Sequence, residues 1–150
     1  MNGAKIQELI EQLSDSMALV RSSAAKGLSG LAEDQDITAA MPSLTKALED
    51  KDISVRRRSA DALGAAAFYK QDITSALPAL IKVLEDEDTM AMKNAARAFS
   101  DAAEKGQNIN PAIPALLKFT KTSFGEREDD FTKLAKEYAA KAIDFAAKRA

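Results

Sequence analysis

The sequence predicts an all-α solenoid: eight helices in four antiparallel pairs, stacked as a right-handed superhelix. Three observations point there. Gln35-Asp36-Ile37 returns as Gln71-Asp72-Ile73 and, with one change, as Gln107-Asn108-Ile109, each step being 36 residues. Met41-Pro42, Leu77-Pro78 and Ile113-Pro114 keep that step, as do Leu44, Leu80 and Leu116. A second set of landmarks lies between them: Val20-Arg21 and Val55-Arg56, 35 residues apart, followed by Ala25, Ala60 and Ala96 and by Leu28, Leu63 and Phe99. A fixed period of roughly 20–50 residues marks a stack of supersecondary units, none of which can bury its apolar face alone.

Each unit reads as two helices. The first is expected over 73–85 in the best-defined unit, because Leu77, Leu80, Ile81 and Leu84 fall on one stripe at helical spacing. Thr38, Thr74 and Asn110 share one repeat position just before it and are candidate N-caps, their side chains accepting from the exposed N–H groups of the first turn. Pro111 falls at the first helical position, where its missing N–H costs nothing, and Pro42, Pro78 and Pro114 lie one turn in. The acidic turns Asp50-Lys51-Asp52 and Asp86-Glu87-Asp88 end this helix. The second helix is expected over 54–69, with Val55, Ala60, Leu63 and Ala67 facing inward. Its many alanines favour helix and let neighbouring helices approach closely.

The two ends depart from the pattern. The first unit lacks the proline and surrounds Ile6, Leu9, Ile10 and Leu13 with Lys5, Gln7, Glu8, Glu11 and Gln12, the polar outer face that a terminal repeat needs. In the fourth unit the step from Phe99 to Ile143 is 44 residues. The excess falls in a loop at 122–130, and Phe131, Leu134, Ala135, Tyr138, Ala142 and Phe145 after it predict a long closing helix. The expected organisation is one domain, 1–150, with repeats of about 1–35, 36–71, 72–107 and 108–150.

Composition narrows the chemistry. The chain has no Cys, which removes disulfides, zinc-thiolate sites and Cys nucleophiles, and no His, which removes imidazole bases and Ser-His triads. No phosphate-binding glycine loop is present, and the paired acids Asp50/Asp52, Asp86/Asp88 and Asp129/Asp130 lack a calcium-loop pattern. They read as turn and capping residues near helix N-termini. No catalytic, cofactor-binding or metal-binding residue is assigned. Twenty-one basic and 23 acidic residues leave a net charge of -2, and aromatics make up only 5%. Nucleic-acid binding is therefore not expected. Residues 1–13 hold no long apolar run, and no stretch approaches ~20 consecutive apolar residues. The expectation is a soluble cytoplasmic monomer with no membrane association.

The run PALIKVLED at 78–86, paired with VRRRSADALG at 55–64, resembles HEAT-repeat proteins, particularly the bacterial and archaeal HEAT-like type. The likeness covers nearly the whole chain. It implies a ladder in which the turn aspartate and the Arg after Val link adjacent repeats; Asp15 with Arg21 and Asp50 with Arg56 match that pattern. Met92 stands where the third Arg would be, with Lys93 beside it. The resemblance also implies that the second helices line a concave binding side.

On that side one repeat column reads Ser22, Arg57, Lys93 and Glu137, and the next Lys26, Asp61, Arg97 and Lys141. Five basic against two acidic residues make this face locally positive on a chain of net charge -2. Arg58, Asn94 and Tyr138 form a third column. Two readings follow. One is a non-catalytic interaction scaffold that binds a protein or acidic peptide segment through Lys26, Arg57, Arg58, Lys93, Arg97 and Lys141. The other, implied by the resemblance, is an enzyme or enzyme-associated subunit of the bilin-lyase or DNA-glycosylase HEAT-like type.

Overall fold

The computed structural model describes residues 2–149. Helices α1 (Asn2–Gln12) and α2 (Ala18–Leu31) form the first pair, α3 (Met41–Ala47) and α4 (Ile53–Phe68) the second, α5 (Leu77–Val83) and α6 (Thr89–Glu104) the third, and α7 (Ile113–Lys121) and α8 (Asp130–Ala147) the fourth. Among the described residues there is no strand. The chain is an α-solenoid. Helices α2, α4, α6 and α8 pack each onto the next to form one layer, and α3 and α5 touch in the other.

Local chemistry sets the helix boundaries. The second helices of the last three units start on aspartates: Asp52 accepts from Ser54 N–H at 2.9 Å, Asp88 from Ala91 N–H at 2.8 Å and Asp129 from Thr132 N–H at 2.8 Å. The first helices open differently from the sequence expectation. A single 3₁₀ turn precedes each of α3, α5 and α7, at Thr38–Ala40, Thr74–Ala76 and Asn110–Ala112, and the α-helix begins only at Met41, Leu77 and Ile113. The threonines are not the caps. Asp36 and Asp72 each accept both the N–H and the hydroxyl of the threonine two residues on, and Asn108 accepts Asn110 N–H at 3.0 Å. This Asx turn satisfies the first free donor before the helix begins, so the capping position lies two residues earlier. The prolines sit at the start of α3, α5 and α7, where no intrahelical N–H is needed.

Helices α4 and α6 end alike. Lys70 (φ 65°) and Gly106 (φ 88°) adopt the left-handed conformation, and the N–H groups of Gln71 and Gln107 reach back to the carbonyls of Ala66 and Ala102 at 2.8 and 2.9 Å. The core repeats with the sequence: Leu28, Leu63 and Phe99, Ile37, Ile73 and Ile109, and Leu44, Leu80 and Leu116 are all fully buried. In α8 the small residues Ala135, Ala139 and Ala142 carry the buried stripe, while Leu134, Tyr138 and Phe145 are half-buried and Phe131 is exposed. The inserted loop folds back: the Phe124 ring rests 5.7 Å from that of Phe119.

Two side-chain ladders cross the repeat boundaries. Gln71 accepts Ile37 N–H at 2.7 Å and donates to the carbonyls of Ala32 and Gln35 at 2.8 Å each. Gln107 does the same one repeat on, accepting Ile73 N–H at 2.9 Å and donating to Gln71 O at 2.8 Å. At the closing end Arg149 donates to Glu104 O at 3.0 Å, the repeat equivalent of Ala32 O.

Candidate functional site

The second ladder is ionic. Arg21 forks onto Asp50, Nε to Oδ2 at 2.8 Å and Nη2 to Oδ1 at 3.0 Å, while its Nη1 donates to the carbonyls of Asp15 and Ser16. Arg56 forks onto Asp86 at 2.7 and 3.1 Å and ties down the carbonyls of Asp50 and Lys51. Each arginine thus reaches forward to the turn acid of the next repeat. The Asp15 carboxylate accepts Met17 N–H at 2.9 Å; Arg21 contacts only its carbonyl. Burial works against ionisation of Asp50, yet the bonds from Arg21 leave its carboxyl below the usual range.

The six predicted contact residues separate into groups. Arg57 is engaged: its Nε donates to Asp88 Oδ2 at 2.7 Å and its Nη2 to Oδ1. This bond holds the Asp88 carboxyl below the usual range, and Asp88 also caps α6. A glutamate at position 57 would face that cap, so charge reversal there perturbs the fold and cannot report on binding alone. Lys26 is exposed and Arg58 half-buried, and among the described residues neither makes an ion pair or side-chain hydrogen bond.

Lys93 and Arg97 neighbour each other on α6, and Lys141 lies on α8, which also carries the aromatics Phe131 and Tyr138. Lys93 is half-buried, with Nζ 5.9 Å from the centre of the exposed Phe131 ring. Burial first, and then the neighbouring Arg97 cation, push its ammonium below the usual lysine range, with Asp61 opposing. Arg97 has one carboxylate, Asp101, at 3.6 Å. Lys141 Nζ stands 5.7 Å from the Tyr138 ring centre. Asn94, on the adjoining column, is buried and donates to Arg57 O at 3.0 Å, making it an inter-repeat tie. Sequence reasoning did not single out Phe131 as part of this patch, because its place on the apolar stripe of α8 marks it for the core. Its exposure follows from its position in the first turn of α8.

A second feature of the same layer is a groove of about 350 Å³ between α2, α4 and α6, lined by Glu33, Asp61, Phe68, Tyr69 and Arg97. Asp61 there accepts the Ser29 hydroxyl at 3.2 Å. Among the described residues no three His, Cys, Asp or Glu side chains gather as a metal site, and no helix is long and apolar enough to cross a membrane.

Residues 6–72 and 41–129 match the sequence profile of HEAT repeats. The chain belongs to the HEAT-repeat family. No curated protein matches it. Among solved structures it is similar to an engineered protein from a structural genomics consortium, at TM-score 0.72 and 22% identity over 95% of this chain and 67% of that one. A designed armadillo repeat protein in complex with the peptide (KR)4 aligns at TM-score 0.74 and 20% identity, covering 95% and 65%. A computationally designed armadillo repeat protein for modular peptide recognition aligns at TM-score 0.72 and 22% identity, covering 93% and 63%. The chain spans about two thirds of the length of each of these structures.

Within this HEAT stack the third rung of the ionic ladder is missing at both ends. Met92 stands at the arginine position and is buried, and Thr122, one step of 36 beyond Asp86, stands at the acid position. The boundary between the third and fourth repeats is joined instead by the Thr89 hydroxyl, which donates to Asp129 at 2.7 Å, and by Arg127, which donates to Glu87 O at 3.4 Å.

Proposed function

We propose that this HEAT-repeat chain is a non-catalytic scaffold that binds an acidic segment of another protein at the Lys93–Arg97–Lys141 patch of α6 and α8. The observation that carries the reading is the Lys93–Arg97 pair. Burial and a like-charged neighbour both disfavour the Lys93 ammonium, and among the described residues no carboxylate forms an ion pair with it. A carboxylate from a partner would offset both effects by pairing with the ammonium, and Arg97 can take a carboxylate through two parallel bonds. Phe131 and Tyr138 offer apolar surface beside the cations. The similar designed armadillo proteins include one seen with a peptide, which supports peptide capture by this architecture. The sign of the local charge selects the acidic partner.

A fluorescence-anisotropy titration with a labelled peptide of alternating Glu and Leu tests the reading. Lys93→Glu with Arg97→Glu is expected to weaken binding at least about tenfold, since charge-assisted bonds contribute about 1.5–3 kcal/mol. Lys46→Glu with Lys82→Glu, on α3 and α5, is expected to leave it within about twofold, since exposed pairs contribute about 0.2–1 kcal/mol. Loss of binding in the second pair and not the first would put the partner on the other face.

A further inference from the structure

The opposite layer holds a groove that the ladder and the second-helix face do not account for. It measures about 360 Å³ and lies between α5, α7 and the inserted loop. Its apolar lining is Ile81 and Leu84 from the end of α5, Ala115 and Phe119 from α7, and Phe124 from the loop, with Thr122 and Ser123 beside them. Lys118, Arg127 and Glu85 stand on its rim.

The molecule contains its own comparison for this groove. One repeat earlier, Lys82 Nζ on α5 reaches Glu49 Oε1 at the end of α3 at 3.0 Å. Lys118 and Glu85 occupy the same repeat positions 36 residues later, yet among the described residues they form no ion pair. The reasons are local. Phe119 takes the position held by Ala47 and Val83 in the earlier units. The inserted residues bring Phe124 against Phe119, and Lys136 Nζ stands 5.3 Å from the centre of the Phe124 ring. At the first boundary Arg21 and Asp50 line the corresponding space, and at the third their positions are held by Met92 and Thr122. The half-buried Phe124, backed by the almost fully buried Phe119, therefore lines a space that two cations and one anion also line. Lys118 and Arg127 make no ion pair among the described residues, and Arg127 has only the long bond to Glu87 O.

We propose that this groove binds a small aromatic anion, its ring against Phe119 and Phe124 and its acidic group at Lys118 and Arg127. Concave apolar sites of roughly 300–1,000 Å³ with a few convergent polar groups are the usual form of small-molecule sites. The excess of positive charge on the rim selects an acid over a base. An exposed cation beside an apolar wall gains most when its partner carries both an anion and apolar surface.

Two fluorescent probes that differ by one sulfonate separate the terms: 8-anilino-1-naphthalenesulfonate and the uncharged N-phenyl-1-naphthylamine. The sulfonate is expected to bind the folded chain saturably at one site, about tenfold more tightly than the neutral probe, a ratio equal to about 1.4 kcal/mol. Lys118→Glu with Arg127→Gln, both at exposed positions and the glutamine amide still able to donate to Glu87 O, is expected to remove that advantage while leaving the circular dichroism spectrum and the affinity for the neutral probe unchanged. Lys93→Glu with Arg97→Glu is the internal control and is expected to leave both probes unaffected, which keeps this site independent of the proposed peptide face. Equal affinity for the two probes, wild-type sulfonate binding by the Lys118/Arg127 variant, or loss of sulfonate binding in the Lys93/Arg97 variant would each overturn the proposal.

Discussion

Gln71 crosses the repeat boundary to Ile37, its Oε1 accepting the Ile37 N–H at 2.7 Å while its Nε2 holds the carbonyls of Ala32 and Gln35. One amide thus satisfies three backbone groups in the turn that follows α2. Ile37 is fully buried, so removing the amide leaves its N–H without a protein acceptor. Gln71→Leu is expected to cost about 1–3 kcal/mol, the usual penalty for orphaning a buried polar group. Chemical denaturation measures it, and a variant as stable as the parent would show that the turn is held by other contacts.

The ionic ladder should matter at its second rung. Arg56 forks onto Asp86 and also fixes two carbonyls of its own turn. Arg56→Ala is expected to lower stability by about 2 kcal/mol, because hydrogen bonds to charged groups contribute about 1.5–3. Met92→Arg is expected to destabilise as well, since position 92 is buried and Thr122 offers no carboxylate there. Thermal melts of the two variants check both statements.

The packing register is tested at Leu63. The side chain is fully buried, as are its repeat counterparts Leu28 and Phe99, and Leu63→Ala is expected to cost about 2–5 kcal/mol. An unchanged melting temperature would mean that these three positions do not form one stripe.

Asp101 gives a pH dependence of definite sign. Burial raises its carboxyl above the usual range, with Arg97 opposing, and its Oδ2 has no hydrogen-bond partner. An acid with a raised folded-state pKa binds its proton more tightly when folded. Its contribution to stability is greatest at low pH and is lost as pH rises through that raised value. Asp101→Asn is therefore expected to raise the melting temperature at pH 7, with the gain vanishing near pH 4. Asp88 runs the other way: Arg57 lowers its pKa, so the stability it supplies is present above the ordinary carboxylate range and lost as pH falls through its lowered value. Melting curves from pH 3 to 8 separate the two.

The period of 36 residues carried the architecture, because a stack buries the same position of every unit. Leu44, Leu80 and Leu116 had to share one environment, and they do. What the period left open was which of two adjacent polar groups does a given job. Thr74 and Asp72 both stand beside the first free N–H of their turn, and the shorter reach of an Asx turn decides for Asp72. Gln71 and Gln107 were visible as landmarks, but their partners are backbone groups more than 30 residues away, which leave no trace in side-chain spacing. Arg57 and Lys93 share a repeat column, yet one is spent on Asp88 and the other is not. Asp88 accepts the Arg57 fork, whereas the corresponding cap Asp129 accepts the Thr89 hydroxyl. The groove beside Phe124 depends on how the inserted loop folds back, which a count of extra residues does not describe.

The proposed binding face is tested most directly by mapping it. Backbone amide shifts of the isotopically labelled chain, followed during titration with the Glu-Leu peptide, report where the partner sits. The largest perturbations are expected at Lys93, Arg97, Phe131 and Lys141, fading as salt is raised because charge attraction is screened over about 8 Å at physiological ionic strength. Perturbations centred on α1, α3, α5 and α7, with α6 and α8 silent, would contradict it.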